Sequence, residues 1–136
     1  MRYLLDTNVC IAEINGTPLP VAERFRAKVR EGAEVYVSSV SLFELWYGVE
    51  KSARRDFNEL RLEIFLAGAV RLLQFSSEDS AQAGRVRAIL DVQGTPIGPY
   101  DLLIAGQALA RGLVLVTHNV REFGRVAGLR VEDWQG

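Results

Sequence analysis

Four apolar runs, at residues 3–5, 35–37, 70–75 and 113–116, are too short for helices and lack the strict in-and-out alternation of strands with one wet face. Strands of that kind are buried on both sides, as a parallel sheet covered by helices requires. Between them the periodicity becomes helical. Val21, Phe25 and Val29 recur every four residues over 20–30, Leu42, Leu45, Trp46 and Val49 form a stripe over 42–51, and Ala83, Val86 and Leu90 share a side over 77–93. Further helices are predicted over 9–14, 57–67 and 101–111, the last apolar almost all round and closed by Gly112. Asn15-Gly-Thr-Pro18, Gly32 and Gly94-Thr-Pro-Ile-Gly-Pro99 interrupt the pattern, and residues 38–41 read as a turn. Helices alternating with buried strands define an α/β protein with a mainly parallel sheet. No repeat or linker divides the chain, so residues 1–136 are read as a single domain.

The chain is 49% hydrophobic and 24% charged, enough for a packed core and far from the composition of disorder. No stretch approaches the roughly 20 apolar residues that span a bilayer. Met1-Arg-Tyr-Leu-Leu-Asp6 lacks the apolar centre of a signal peptide, which leaves a cytoplasmic location and no membrane partner as the expectation. Cys10 is the only cysteine and lies in the apolar run Val9-Cys-Ile-Ala12, where it reads as core packing. A net charge of −1 argues against wholesale electrostatic capture of nucleic acid. Locally, however, Arg24, Arg26, Lys28 and Arg30 cluster, as do Lys51, Arg54 and Arg55, and then Arg121 and Arg125. Of 16 basic residues only Lys28 and Lys51 are lysines, and arginine is the better planar phosphate ligand. Any one cluster taken alone reads first as a solvated helix face.

Each of three apolar runs carries an acid where it ends or turns: Asp6 in Leu4-Leu-Asp-Thr-Asn8, Glu44 in Ser41-Leu-Phe-Glu44, and Asp101 in Gly98-Pro-Tyr-Asp101. Local roles exist for all of them. Asp6 and Asp101 suit helix N-caps, and Ser41 with Glu44 has the spacing of a capping box. Serine and threonine would cap as well without the penalty of crowding charges. Two carboxylates about 4 Å apart at an effective dielectric of about 20 repel by roughly 4 kcal/mol, a sign that a divalent cation reverses. Oxygen donors in a chain with one His and one Cys suit Mg²⁺ or Mn²⁺ rather than zinc. Asn8, Thr117, Asn119 and Glu122 are auxiliary polar candidates near the same strand ends. His118, the only histidine, invites a general-base role but reads first as a surface residue. In the helix over 42–51, Phe43 and Tyr47 lie off the core stripe. The surplus apolar surface near Trp46 and Tyr47 is expected to meet a partner chain or a second subunit as a homodimer, unless the chain's own next helix covers it.

Leu4-Leu-Asp-Thr-Asn8, Ser41-Leu-Phe-Glu-Leu-Trp-Tyr-Gly48, Pro96-Ile-Gly-Pro-Tyr-Asp-Leu-Leu-Ile-Ala105 and Leu115-Val-Thr-His-Asn-Val-Arg-Glu-Phe123 together resemble PIN-domain proteins, specifically the VapC toxins of bacterial toxin–antitoxin pairs. The resemblance extends to Gly128-Leu-Arg-Val-Glu-Asp-Trp134. It implies a three-layer α/β/α sandwich and an endoribonuclease that cuts RNA, with tRNA loops as one substrate class, using Mg²⁺ or Mn²⁺. It also implies inhibition by a small VapB-type antitoxin. Asp6, Glu44 and Asp101 match the family's acidic positions, with Asp6 and Asp101 as metal ligands and Glu44 completing the shell or orienting water. Asn119 stands where many such domains carry a further Asp, and Glu122 is the nearby substitute. Two other classes compete: a catalytically idle interaction module whose acids only cap helices, and an aspartyl-phosphate enzyme with Asp6 as nucleophile. The second lacks a charge-balancing lysine, since none follows Lys51. No Gly-x-Gly-x-x-Gly follows the first strand, which removes the usual dinucleotide signature.

Overall fold

The computed structural model describes all residues from 1 to 136 and contains five strands. In chain order the elements are β1 (Arg2–Leu5), α1 (Thr7–Asn15), α2 (Leu19–Arg30), β2 (Glu34–Ser38), α3 (Ser39–Lys51), α4 (Arg55–Leu66), β3 (Val70–Leu73), α5 (Ser77–Gln93), α6 (Pro99–Arg111), β4 (Val114–Val116), α7 (Val120–Phe123) and β5 (Val131–Glu132). Every strand pair is parallel and the order across the sheet is β3-β2-β1-β4-β5. The order therefore reverses between β1 and β4, and the crevice beyond their carboxyl ends is where such sheets place ligands.

Alternation along the central strands sorts the helices into two layers. Tyr3 and Leu5 of β1, with Val114 and Val116 of β4, face a core filled by Val9 and Cys10 of α1, Phe25 of α2, Leu45 and Val49 of α3 and Leu62 of α4. Leu4 and Leu115 face the opposite core, built from Val86 and Leu90 of α5, Ile104, Ala105 and Ala108 of α6, and Phe123 of α7. Both faces are dry, which is why these runs carry no polar alternation. The predicted three-layer sandwich is the observed one. Cys10 is fully buried, as expected, and burial pushes its thiol well above the ordinary value.

Three local expectations change. Residues 38–41 are not a turn: β2 runs through Ser38, which caps α3 by accepting from the Val40 amide at 3.0 Å. The capping box is not at Ser41 and Glu44 but at Ser76 and Asp79, where each side chain accepts from the other's amide. The strand β5 was not foreseen, because two half-buried residues carry no apolar run; it is held by Leu115 N to Arg130 O at 2.9 Å and Thr117 N to Glu132 O at 3.0 Å. No helix is long and apolar enough to cross a membrane.

Helices α5 and α6 cross with Gly106 against Ala83. A Cβ on Gly106 would fall 2.5 Å from Ala83 Cα, so only hydrogen fits. The other ends are tied by the buried Asp79 carboxylate, which accepts from Arg111 Nε at 3.0 Å and Gln107 Nε2 at 3.0 Å. Gly112, in the left-handed region with φ +64°, ends α6 and returns the chain to β4. The substitution Gly106→Ala is expected to lower the free energy of unfolding by about 1–3 kcal/mol, because backbone rather than a flexible tip must yield. A lower urea midpoint with unchanged slope would record it.

Candidate active site

Asp6 follows the last residue of β1, and its amide continues the sheet by donating to Val116 O at 3.0 Å. The residue turns the chain into α1, and its Oδ1 accepts from Val9 N at 2.8 Å, so the capping role expected of it is real. Capping does not account for its setting. The carboxyl is only 4% exposed, and burial raises its pKa, with the negative charge of Glu44 adding to the rise; the Thr117 hydroxyl and the Val9 and Asn8 amides pull the other way.

Glu44 is on the second turn of α3, brought to the same edge because β2 leads directly into that helix. Its Oε1 accepts a 2.6 Å hydrogen bond from the Thr7 hydroxyl, which also lies 3.0 Å from Ser41 Oγ. Sequence reading singled out Asp6 and Asn8 but passed over Thr7 between them. The only available signal was its place within that motif.

Asp101 is not an N-cap, since Gly98 occupies that position and Pro99 opens α6. It sits instead in the first turn, half-buried, and no protein donor reaches its carboxylate. Burial, followed by the charges of Glu122, Asp6 and Glu44, raises its pKa to about 6. None of these four acids forms an ion pair with Lys, Arg or His.

Asp6, Glu44 and Asp101 line one open cleft of about 620 Å³, together with Asn8 and the aromatic rings of Phe43, Tyr47 and Tyr100. No three His, Cys, Asp or Glu side chains converge tightly enough to enclose an ion by themselves. The three carboxylates therefore line an open site and do not form a closed cage by themselves. Such openness suits Mg²⁺, which commonly takes one or two carboxylates and keeps water or substrate phosphate in its remaining positions. Donor type, the lack of any balancing cation and the donor-less Asp101 carboxylate all fit that ion.

The auxiliary candidates divide. Thr117 is buried beside Asp6, and its Oγ1 accepts from Asn119 N at 3.0 Å. Glu122 accepts from Gly98 N at 3.0 Å and from Asn119 Nδ2 at 2.9 Å, which ties the end of β4 to the start of α6 and lowers its own pKa. Each oxygen thus accepts one hydrogen bond, and the Glu122 charge adds to the rise in the Asp101 pKa. Trp46 leans on the core beside Leu45 and Val49, while Tyr47 is exposed.

A parallel sheet with acids gathered past the carboxyl ends of its middle strands has them where open α/β sheets bind their ligands. The chain belongs to the PIN domain family, which it matches over residues 3–129. It is 44% identical over 134 residues, 98% of each chain, to the tRNA(fMet)-specific endonuclease VapC of Shigella flexneri. The fold is similar to that of the VapBC2 complex of Rickettsia felis bound to promoter DNA, with TM-score 0.92, 36% identity, and 98% and 99% of the two chains covered. It is likewise similar to DNA-bound VapBC of Salmonella typhimurium, with TM-score 0.90, 42% identity and 98% of each chain covered.

A carboxyl whose folded-state pKa lies above its unfolded value favours folding below both values and disfavours it above them. For Asp101, stability without metal is expected to fall as pH rises from the ordinary 3.8 through about 6. Thermal melts in EDTA should show that Asp101→Asn flattens this slope and melts higher at neutral pH. Mg²⁺ should raise the wild-type midpoint and leave that of the variant largely unmoved.

Proposed function

We propose that this protein is the toxin of a toxin–antitoxin pair, an endoribonuclease that hydrolyses RNA phosphodiester bonds and is silenced by a VapB-type antitoxin. The observation that carries this reading is the half-buried Asp101 carboxylate, without donor or counter-ion, facing Asp6 and Glu44 across one cleft. An idle interaction module would have no use for that uncompensated charge. The endonuclease name of the Shigella relative supports RNA as the substrate and makes tRNA the first class to test.

In this reading Asp6 and Asp101 hold Mg²⁺ or Mn²⁺, directly or through water, and Glu44 completes the shell or orients the attacking water. When bound, the ion supplies an acidified water and neutralises charge that develops on the scissile phosphate. The protein's task is preorganisation. Val9 N and Thr117 keep Asp6 in place, Thr7 steers Glu44, and Glu122 holds the start of α6 so that Asp101 faces them. A nucleophilic role for Asp6 fits poorly, because the side chain is buried and one oxygen is spent on the Val9 amide. Total RNA and purified tRNA, incubated with the protein and Mg²⁺, are expected to be cut. EDTA or Asp6→Asn should slow cutting by about a hundredfold or more, the scale of losing one preorganised electrostatic contact. Equal cutting in every arm would falsify the assignment.

The antitoxin-binding face in this reading is on α3 and α4. Phe43 and Tyr47 on α3 and Phe57, Leu60 and Ile64 on α4 remain exposed although the two helices pack together. The same surface suits an amphipathic antitoxin segment and, in its absence, a second copy of the chain as a homodimer. Tyr47→Glu is expected to reduce capture of the co-expressed antitoxin about tenfold in a pull-down, the loss associated with one buried aromatic anchor. Unchanged capture would move the interface elsewhere.

A further inference from the structure

We propose that a second cleft, on the other flank of Asp6, is a subsite for one base-and-ribose unit of the RNA strand, with His118 as its specificity-determining residue. The proposal rests on the ribonuclease reading above. The second cleft has a volume of about 240 Å³ and shares Asp6 and Asn8 with the acidic cleft. A continuous strand whose scissile phosphate lies at that shared acid must therefore place one neighbouring nucleotide on each side.

The two sides differ in chemistry. In the second cleft the floor is Trp134, fully buried and immobilised: its Nε1 donates to Glu132 Oε1 at 3.0 Å, and its ring packs edge-on against Tyr3 at 5.4 Å and Phe25 at 6.5 Å. Pro18 and Val21 continue the apolar surface. The rim is polar. His118 is 65% exposed at its side chain, yet its ring is held, because Nδ1 lies 3.1 Å from Asp133 Oδ2 while Asp133 Oδ1 accepts from Gln135 N at 2.9 Å. The Asp133 carboxylate engages Nδ1, which leaves Nε2 as a positioned polar atom with no partner in the protein. Asn8 adds a free amide at the boundary between the clefts.

Charge decides which part of a nucleotide fits. No Lys or Arg lines this cleft, whereas Asp6 and Asp133 do. A phosphate is repelled there, and a neutral base with its ribose is not. An apolar floor under a rim of donors and acceptors is the environment in which an unstacked base is read.

The test uses fluorescently labelled bulk tRNA as the probe. Affinity is measured by anisotropy in EDTA, and cut positions are mapped on the same RNA with Mg²⁺. His118→Ala is expected to weaken binding about five- to tenfold and to spread the cuts over more positions, a change that a merely structural role would not produce. Asp133→Asn should act in the same direction but less, and the distant surface variant Arg87→Ala should match wild type. If His118→Ala binds and cuts like wild type, the subsite is refuted while the nuclease reading stands. If wild type binds tRNA in a His118-dependent way yet cuts nothing, the subsite survives and the nuclease reading fails. Absence of both binding and cutting removes both.

Discussion

Burying the Asp6 carboxylate where β1 becomes α1 sets desolvation against charge, and the surrounding structure answers that conflict from several directions. One oxygen caps α1 through Val9 N, the Thr117 hydroxyl lies beside it, and the backbone amide extends the β1–β4 pairing to Val116. Two further acids approach from α3 and α6 with no cation to offset them. A fold that only needed a helix cap here would have no reason to bring them. The repulsion is tolerated because α/β packing elsewhere is tight, and it is the physical basis for a site that gains from binding a hard divalent ion.

The topology makes that convergence cheap in chain length. With order β3-β2-β1-β4-β5, β1 and β4 are neighbours although more than a hundred residues separate them, and the helices that follow β1 and β2 start at the same edge. Glu122 then bridges the end of β4 to the start of α6, so that Asp101 belongs to the same rigid frame. The close Gly106–Ala83 crossing and the pairing of buried Asp79 with the partly exposed Arg111 hold the α5–α6 layer behind it. Substitutions in that layer would reach the site through the position of α6 and through the shared core with Leu4, Leu115 and Phe123.

Much of this was legible beforehand. Apolar runs without alternation announced strands with two dry faces, and the helix α5 was read with its observed bounds, residues 77–93. The acids were found because three of them recur at run ends. What escaped notice lacked a local signature. β5 is two residues long and exists only because β4 offers it a free edge. Ser41 and Glu44 have capping-box spacing, but the helix already begins at Ser39 with Ser38 as its cap, which puts them in its first and second turns and frees Glu44 to meet Thr7. The pairing of His118 with Asp133 joins residues 15 apart across β5, and no spacing rule anticipates it.

The chain's own order of residues determined the class of fold, the strands and helices that build it, and the identity of the acids, since burial pattern and residue chemistry are local properties. Only the tertiary structure decided how the acids relate: that Asp101 lacks any donor, that the site is an open cleft, and that Asp6 borders two clefts of different character. Distances between groups on separate elements depend on sheet order and helix crossing. Those are set by the packing of the whole core and by no single stretch of residues.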